Sequence, residues 1–494
     1  MTRWAGPARA AAGALAGAGT GAGGSGGGAV PPGDATGRGV PRLGLAIASA
    51  VLILVGLGVA SLAPSATPSR AVVAAVAVAL GGVWVLARVR RTYGTSTAWL
   101  AAVSVSILAG ELSAVSLGGQ SGRVLWTDAV VLGGVAMALL RRPAVELPRE
   151  AVLGWTAALV AWSALTLPIT GDPLTAIAEL KEWIVALVAG VAAYTIVTDV
   201  RRARAAFGAV AVTGAAIGAL MLIIALRSPL GPVLAILLKQ VDLPWGRSNY
   251  LAGILILSLS VALGLAASSP RWRARLAWTG CLGLCALGLV LSASKGAIVA
   301  LVAGLLVAYV PAGRASRVGI AALAVLLVAG VALFVAGPLH EVLAYRTQQS
   351  ALSYSVGERW DLYALAWNRY LHAPLVGVGL NNFSVAAHRL TGVDTVPHNF
   401  ELGFLVELGP VGLAIAVAWM VAALALARRA ARNARGPDRA LAIAVASGIV
   451  GFAVHNQIES TIYGEQYKVL LFVVLAGAAA LARSGLPRGD VPRE

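Results

Sequence analysis

Between residues 395 and 412 the chain reads "TVPHNFELGFLVELGPVG". His398 stands where an apolar segment begins, and an imidazole can take a proton from an attacking hydroxyl near neutral pH. Glu407 lies inside that segment. An ionised carboxylate at the centre of a membrane helix costs about 2.5–3.5 kcal/mol, so Glu407 should face the protein interior with a partner. On a continuous helix His398, Leu402, Leu405 and Gly409 share one face, Gly412 continues it, and Glu407 points roughly opposite His398. Pro410 frees a carbonyl one turn back and should bend the helix.

Two further stretches offer cations. "GERWDLYALAWNRYLHAP", from residue 357 to 374, carries Arg359, whose planar fork can grip two phosphate oxygens at once. The bland alternative is a local ion pair with Glu358 or Asp361. "SASKGA", at 292–297, carries Lys295 in a tight turn between two apolar runs, where it could equally snorkel to lipid headgroups. Glu459 and Tyr463, in "HNQIESTIYGEQY", are polar groups without a motif behind them. No metal site is expected. Histidines 340, 372, 388, 398 and 455 include no i,i+4 pair, and no HExxH occurs. Cys281 and Cys285 share one helix face and read as packing residues. "GVGLNNF" is no dinucleotide fingerprint, because Asn382 stands where a third glycine would be; Gly377 and Gly379 suggest a tight turn instead.

The elements that must position these groups are membrane helices. The 494 residues are 59% hydrophobic and 12% charged, about half the charge of a soluble domain. Mean hydropathy is +0.83. Apolar runs long enough to span about 30 Å of hydrocarbon recur from residue 42 to 483, continuous rather than alternating, which selects helices over a barrel. The expected architecture is an all-α polytopic integral membrane protein. About 14 transmembrane helices are counted, with 12 as the alternative: 42–63, 70–88, 97–117, 124–140, 151–168, 178–198, 206–226, 249–268, 274–292, 295–311, 317–337, 402–427, 438–455 and 466–483. The net charge of +17 is explained by arginine clusters such as Arg88/Arg90/Arg91, Arg201/Arg202/Arg204 and Arg428/Arg429/Arg432. They recur on one side of the spans, which by the positive-inside rule places both termini in the cytoplasm and argues against a nucleic-acid partner.

Residues 1–41, including "AAGALAGAGTGAGGSGGGAVPPG", are expected to form a disordered cytoplasmic tail, and 484–494 a second short one. Between them, 42–483 form the transmembrane domain. Residues 227–248 hold an apolar stretch too short to span, and 338–398 form a large extracytoplasmic loop. Within that loop Trp360, Tyr363, Trp367 and Leu371 fall on one face of an amphipathic helix that ends before Pro374. Its apolar face is expected on the outer membrane surface or over the bundle mouth.

Taken in series, "SASKGA", "ERWDLYALAWNRYLHAPLVGVGLNNF" and "HNFELGFLVELGPVG" resemble the O-antigen ligase family, which also contains O-antigen polymerases, protein O-oligosaccharyltransferases and some proteins labelled bicarbonate transporters. The pattern H-N-x-x-L-x-x-L-x-E-x-G-x-x-G fits from His398 to Gly412 at every fixed position, and "RSNYLAG" is similar to the family's Asn-x-x-Ala entry to a span, with Asn249 and Ala252 matching. The likeness is strong over about 245–412 and rests on hydropathy alone over 1–200.

The resemblance implies a metal-independent, cofactor-free membrane glycosyltransferase at the outer face of the plasma membrane. It would move a glycan from a polyprenyl-diphosphate carrier to a glycan or lipid acceptor. A polysaccharide polymerase is the near alternative and a small-anion, bicarbonate-like transporter the distant one, with Glu111 and Asp128 its best residues. Under the resemblance His398 and Arg359 are the expected catalytic pair. Lys295 occupies a position where the family usually has Arg, keeping the charge without the fork. Lys295 and Asn249 are expected to bind the donor's diphosphate or sugar, and Asn382, Asn399 and Asn381 are weaker candidates for orienting sugar hydroxyls. Glu407, Gly377, Gly379, Gly409 and Gly412 are the expected structural supports.

Overall fold

The computed structural model describes residues 90–92, 94–109, 125–141, 148–229, 241–243, 246–310, 351–391 and 395–485. The main helices are α1 (Thr95–Ser106), α2 (Trp126–Arg141), α3 (Ala151–Thr166), α4 (Pro173–Ile196), α5 (Val200–Arg227), α6 (Ser248–Ser268), α7 (Trp272–Leu291), α8 (Lys295–Tyr309), α9 (Ala351–His372), α10 (Asn382–Thr391), α11 (Phe400–Asn433), α12 (Pro437–His455) and α13 (Glu465–Ser484). Among the described residues there is no strand, only an isolated bridge between Leu243 and Gly246. Among the described residues, seven helices are long and apolar enough to cross a membrane: α3 with its 3-10 extension to Ile169, then α5, α6, α7, α11, α12 and α13. Three expected spans, 42–63, 70–88 and 317–337, lie outside the described residues, as do Glu111, most of the 227–248 stretch and the start of the large loop. α4 has the length but carries Glu179, Lys181 and Glu182 near its start.

α6 and α13 form the centre. Every residue from Glu465 to Ala482 is buried, and from Val469 to Ala482 the helix is apolar on all sides. α13 packs on α4, α5 and α11, while α6 packs on α5, α7 and α12. Contacts between chain-distant turns define two ends. At one, Arg204 pairs with Asp438 (2.8 Å) and Arg483 with Glu150 (3.3 Å). At the other, Asp172, Asn249, Asn382, Phe400 and residues 456–464 bond to one another. Small residues let the helices close in. A Cβ on Gly304 of α8 would stand 2.2 Å from the Ser447 carbonyl oxygen of α12.

α13 brings charge into this core. Lys468 reaches Glu179 (2.5 Å) and Glu182 (3.1 Å) on α4 and lies 4.9 Å from the centre of the Trp183 ring. One turn away, Lys181 bridges Glu465 (2.7 Å) and Asp128 of α2 (3.0 Å). Charges out of water persist only with partners of opposite sign, so these pairs lock α2, α4 and α13 in one register.

α11 is broken. Gly409 has φ 67° and ψ −170°, dividing it into 400–408 and 410–433. Pro410 has no N–H, and its ring excludes the carbonyl one turn back. The three carbonyls before the break find other donors: Val406 accepts from Val378 N–H (2.9 Å), Glu407 from Gly379 N–H (2.8 Å), and Leu408 from the Trp162 indole N–H (2.9 Å). An apolar surrounding tolerates a broken helix only when its backbone is satisfied in this way. Glycine is required on both sides of the seam. A Cβ on Gly377 (φ 73°) would sit 2.3 Å from the Glu407 carbonyl carbon, and one on Gly409 would sit 2.3 Å from the Leu375 carbonyl oxygen.

The expected amphipathic helix is α9, and it stops at His372 as the following Pro374 requires. Its inward side is not the aromatic one. Leu362 and Ala366 pack on Phe383, Ala387 and Val406, while Trp360, Trp367 and Leu371 remain exposed. The aromatic face therefore turns away from the bundle rather than covering its mouth.

Two substitutions test this packing, with unfolding of the detergent-solubilised protein as the measurement. Lys468→Met strands Glu179 and Glu182 and should cost about 3–5 kcal/mol, with part of the loss recovered when Glu179→Gln is added. Gly409→Ala should cost at least about 1–3 kcal/mol of backbone strain. Gly280→Ala, on a helix position with no atom within 4 Å of the new methyl, should stay near wild type.

Candidate active site

The turn between α12 and α13 is built on Asn456. This buried side chain accepts from the Ile462 N–H (2.9 Å) and donates to the Phe452 carbonyl (2.9 Å), while its own carbonyl accepts from the Phe400 N–H (3.0 Å). The turn is thereby fixed against the start of α11, and Glu459 stands within it. Three chain-distant groups meet on that carboxylate. Arg359 of α9 donates to Oε1 at 2.5 Å, and the Asn249 side-chain amide of α6 donates to the same oxygen at 2.9 Å. His398 Nδ1 stands 2.9 Å from Oε2, off the straight hydrogen-bond line. The Glu459 side chain is 8% exposed, whereas Arg359 and His398 keep 33% and 27%, so the hub is covered and its two arms are reachable.

Burial alone would push the Glu459 carboxyl up. The close contact and charge of His398, followed by the charges of Arg359 and His455, outweigh burial and hold it below the ordinary carboxylate range.

His398 reaches this position because it is not part of the helix. Its φ is +55°, in the left-handed region that a non-glycine residue enters at a cost. α11 starts only at Phe400, capped by Asn399, whose side-chain oxygen accepts from the Leu402 N–H at 2.8 Å. The helical face drawn through His398, Leu402, Leu405 and Gly409 is therefore corrected: the chain turns before the helix begins. On its other side, His398 Nε2 lies 3.2 Å from the Thr395 hydroxyl.

The remaining expected residues divide by location. Lys295 is exposed at the start of α8, and its neighbour Gly296 packs on Ile458, next to Glu459. Asn249 belongs to the hub rather than to its open side. Asn382 is tied elsewhere. Its oxygen accepts from the Asp172 N–H (2.6 Å) and its amide nitrogen donates to the Asp172 and Leu380 carbonyls, so the expected donor contact gives way to a loop clamp. Asn381 is buried with φ +55° beside that clamp. Glu407 is fully buried, accepts from the Tyr463 hydroxyl at 3.0 Å, and faces the backbone N–H groups of Asn381 and Phe383. Gly412 lies against Leu408 across the break, where a Cβ would stand 2.1 Å from the leucine's own. Gly377 and Gly379 hold the loop to α11 as described above.

Glu459 is the residue that sequence reasoning undervalued. The one available signal was its place in a polar run between two apolar helices.

Because its folded carboxyl is held low, Glu459 contributes stability that is fully present above the unfolded value of about 4.3 and is lost only as pH falls through the lower folded value. The gap in unfolding temperature between wild type and Glu459→Gln should thus be constant from about pH 8 to 5 and close below about pH 4. A gap that closes near neutrality would contradict the assignment.

No curated protein matches the chain. Residues 280–417 match the family model described as O-antigen ligase, a stretch that runs from α7 into α11 and includes Lys295, Arg359, His398 and Glu407 but stops short of Glu459. Over this segment the protein, a bundle of apolar helices, is similar to the O-antigen ligase family.

Proposed function

We propose that the protein transfers a glycan from a polyprenyl-diphosphate carrier to an acceptor hydroxyl at the outer face of the plasma membrane. The supporting observation is the meeting of Arg359 and His398 on opposite oxygens of one covered carboxylate. The acceptor oxygen attacks the anomeric carbon, forming the new glycosidic C–O bond. The bond from that carbon to the phosphate oxygen breaks, and the polyprenyl diphosphate departs with the electron pair. The acceptor's proton passes to His398 Nε2.

Each residue has a physical part in that step. Glu459 beside Nδ1 favours the tautomer with an unprotonated Nε2, from which the acceptor hydroxyl displaces Thr395, and it stabilises the imidazolium that forms. Arg359, held by one of its nitrogens, keeps other donors for phosphate oxygens, and Lys295 adds a point charge. Negative charge grows on the leaving diphosphate, and fixed cations beside it act where that charge develops. The buried bonds of Glu407 to Tyr463 support the loop and turn that carry these groups.

The test is transfer by the purified protein in lipid vesicles, with a polyprenyl-diphosphate glycan as donor. His398→Ala should lower kcat by about 10²–10⁴-fold. Arg359→Ala should lower it by about 10²-fold or more, and Arg359→Lys should restore only part of the loss. Full activity in either alanine variant would refute the reading. In cells, accumulation of lipid-linked polymer on deletion would mark a ligase, and shortened chains a polymerase.

A further inference from the structure

We propose that Arg247 is a third cation of the donor site and grips the diphosphate of the lipid carrier. This rests on the reading above that a polyprenyl diphosphate is the donor.

A glycosyl diphosphate brings about two negative charges and gains more as its bond to sugar breaks. Around the hub, the charge of Arg359 is already balanced by Glu459 at 2.5 Å. Lys295, near the hub, is a compact point charge without a fork. One more cation with two-point geometry would match a diphosphate far better.

Arg247 is placed to supply it. It immediately precedes α6, with extended backbone (φ −70°, ψ 157°), two residues before Asn249, whose amide donates to Glu459 Oε1. The next residue, Tyr250, packs against Gly464 at the far end of the same turn, so the first turn of α6 lies along residues 459–464. Ser248 N–H is anchored to Asp242 Oδ1 at 2.6 Å, which steadies the backbone beside Arg247. The Arg247 residue itself is exposed, and among the described residues its guanidinium has no hydrogen-bond or ion-pair partner. A fork held at its base and open at its tip, two residues before the asparagine that binds the hub carboxylate, fits a phosphate ligand.

The experiment compares full-length wild type, Arg247→Ala and Arg247→Lys in vesicles, measuring KM for the lipid-linked donor and inhibition by polyprenyl diphosphate. Arg247→Ala should raise both KM and the inhibition constant about tenfold, the loss of one charge-assisted contact. Its kcat at saturating donor should fall by less than that of Arg359→Ala, and Arg247→Lys should recover part of the affinity. An unchanged unfolding temperature checks that the exposed substitution leaves the fold intact. Unchanged KM and inhibition in an active Arg247→Ala protein would overturn the assignment alone, as would a fall in kcat with KM unaltered. A wild type that neither transfers from the donor nor responds to polyprenyl diphosphate would overturn the donor reading with it. Phosphatidylglycerol added to the vesicles should leave the wild-type KM unchanged. Competition by that lipid, abolished in Arg247→Ala, would assign the arginine to bulk headgroups instead.

Discussion

A carboxylate taken out of water must be answered by positive charge or hydrogen-bond donors, and Glu459 is answered by groups from three distant parts of the chain. α6 brings Asn249, α9 brings Arg359, and the left-handed residue ahead of α11 brings His398. None of the three is near Glu459 in sequence, so the hub can form only when those elements are already in place. The cation and the imidazole do not have to find each other. Each is oriented by its own oxygen of the same side chain, which is the kind of preorganisation that a site acting on developing charge requires.

That arrangement in turn depends on the broken helix. Without the stop at Gly409–Pro410, residues 400–408 would continue straight, and the seam with residues 375–379 would have no free carbonyls to bind. The same seam holds Glu407 against Tyr463, and the Tyr463 carbonyl lies 3.4 Å from Lys468 Nζ. A polar thread thus runs from the α9–α11 connection, through the turn that carries Glu459, into the ion pairs between α4 and α13. Charges embedded among apolar helices are costly, and here they are arranged to brace one end of the bundle.

Some of this was legible in the sequence. Hydropathy located α3 to α8 and α11 to α13 to within about six residues, because continuous apolar length is a strong signal, and Pro374 marked the end of α9, whereas the short α10 was not foreseen. His398 and Arg359 were legible as chemical groups in an otherwise lipid-like chain. What they bind was not. Glu459 carries no motif of its own, and its importance lies in contacts across 61 to 210 residues. The helical wheel through His398 failed because periodicity assumes helical backbone, and a left-handed residue ahead of the cap removes that assumption. Asn382 looked like a sugar ligand and proved to be a clamp on Asp172, since an asparagine's type says nothing about which backbone lies opposite it. The aromatic face of α9 was identified correctly as a face, but its direction depended on Leu362 and Ala366 offering the better fit to Phe383 and Val406.

The most direct measurement is an experimental structure of the full-length protein in a lipid nanodisc with an unreactive analogue of the polyprenyl-diphosphate glycan bound. The account predicts the diphosphate against the free donors of Arg359, with the anomeric carbon facing His398 Nε2 and the Glu459 contacts retained. A headgroup lodged at the opposite, arginine-rich end of the bundle, or one that leaves His398 without a view of the anomeric carbon, would contradict it.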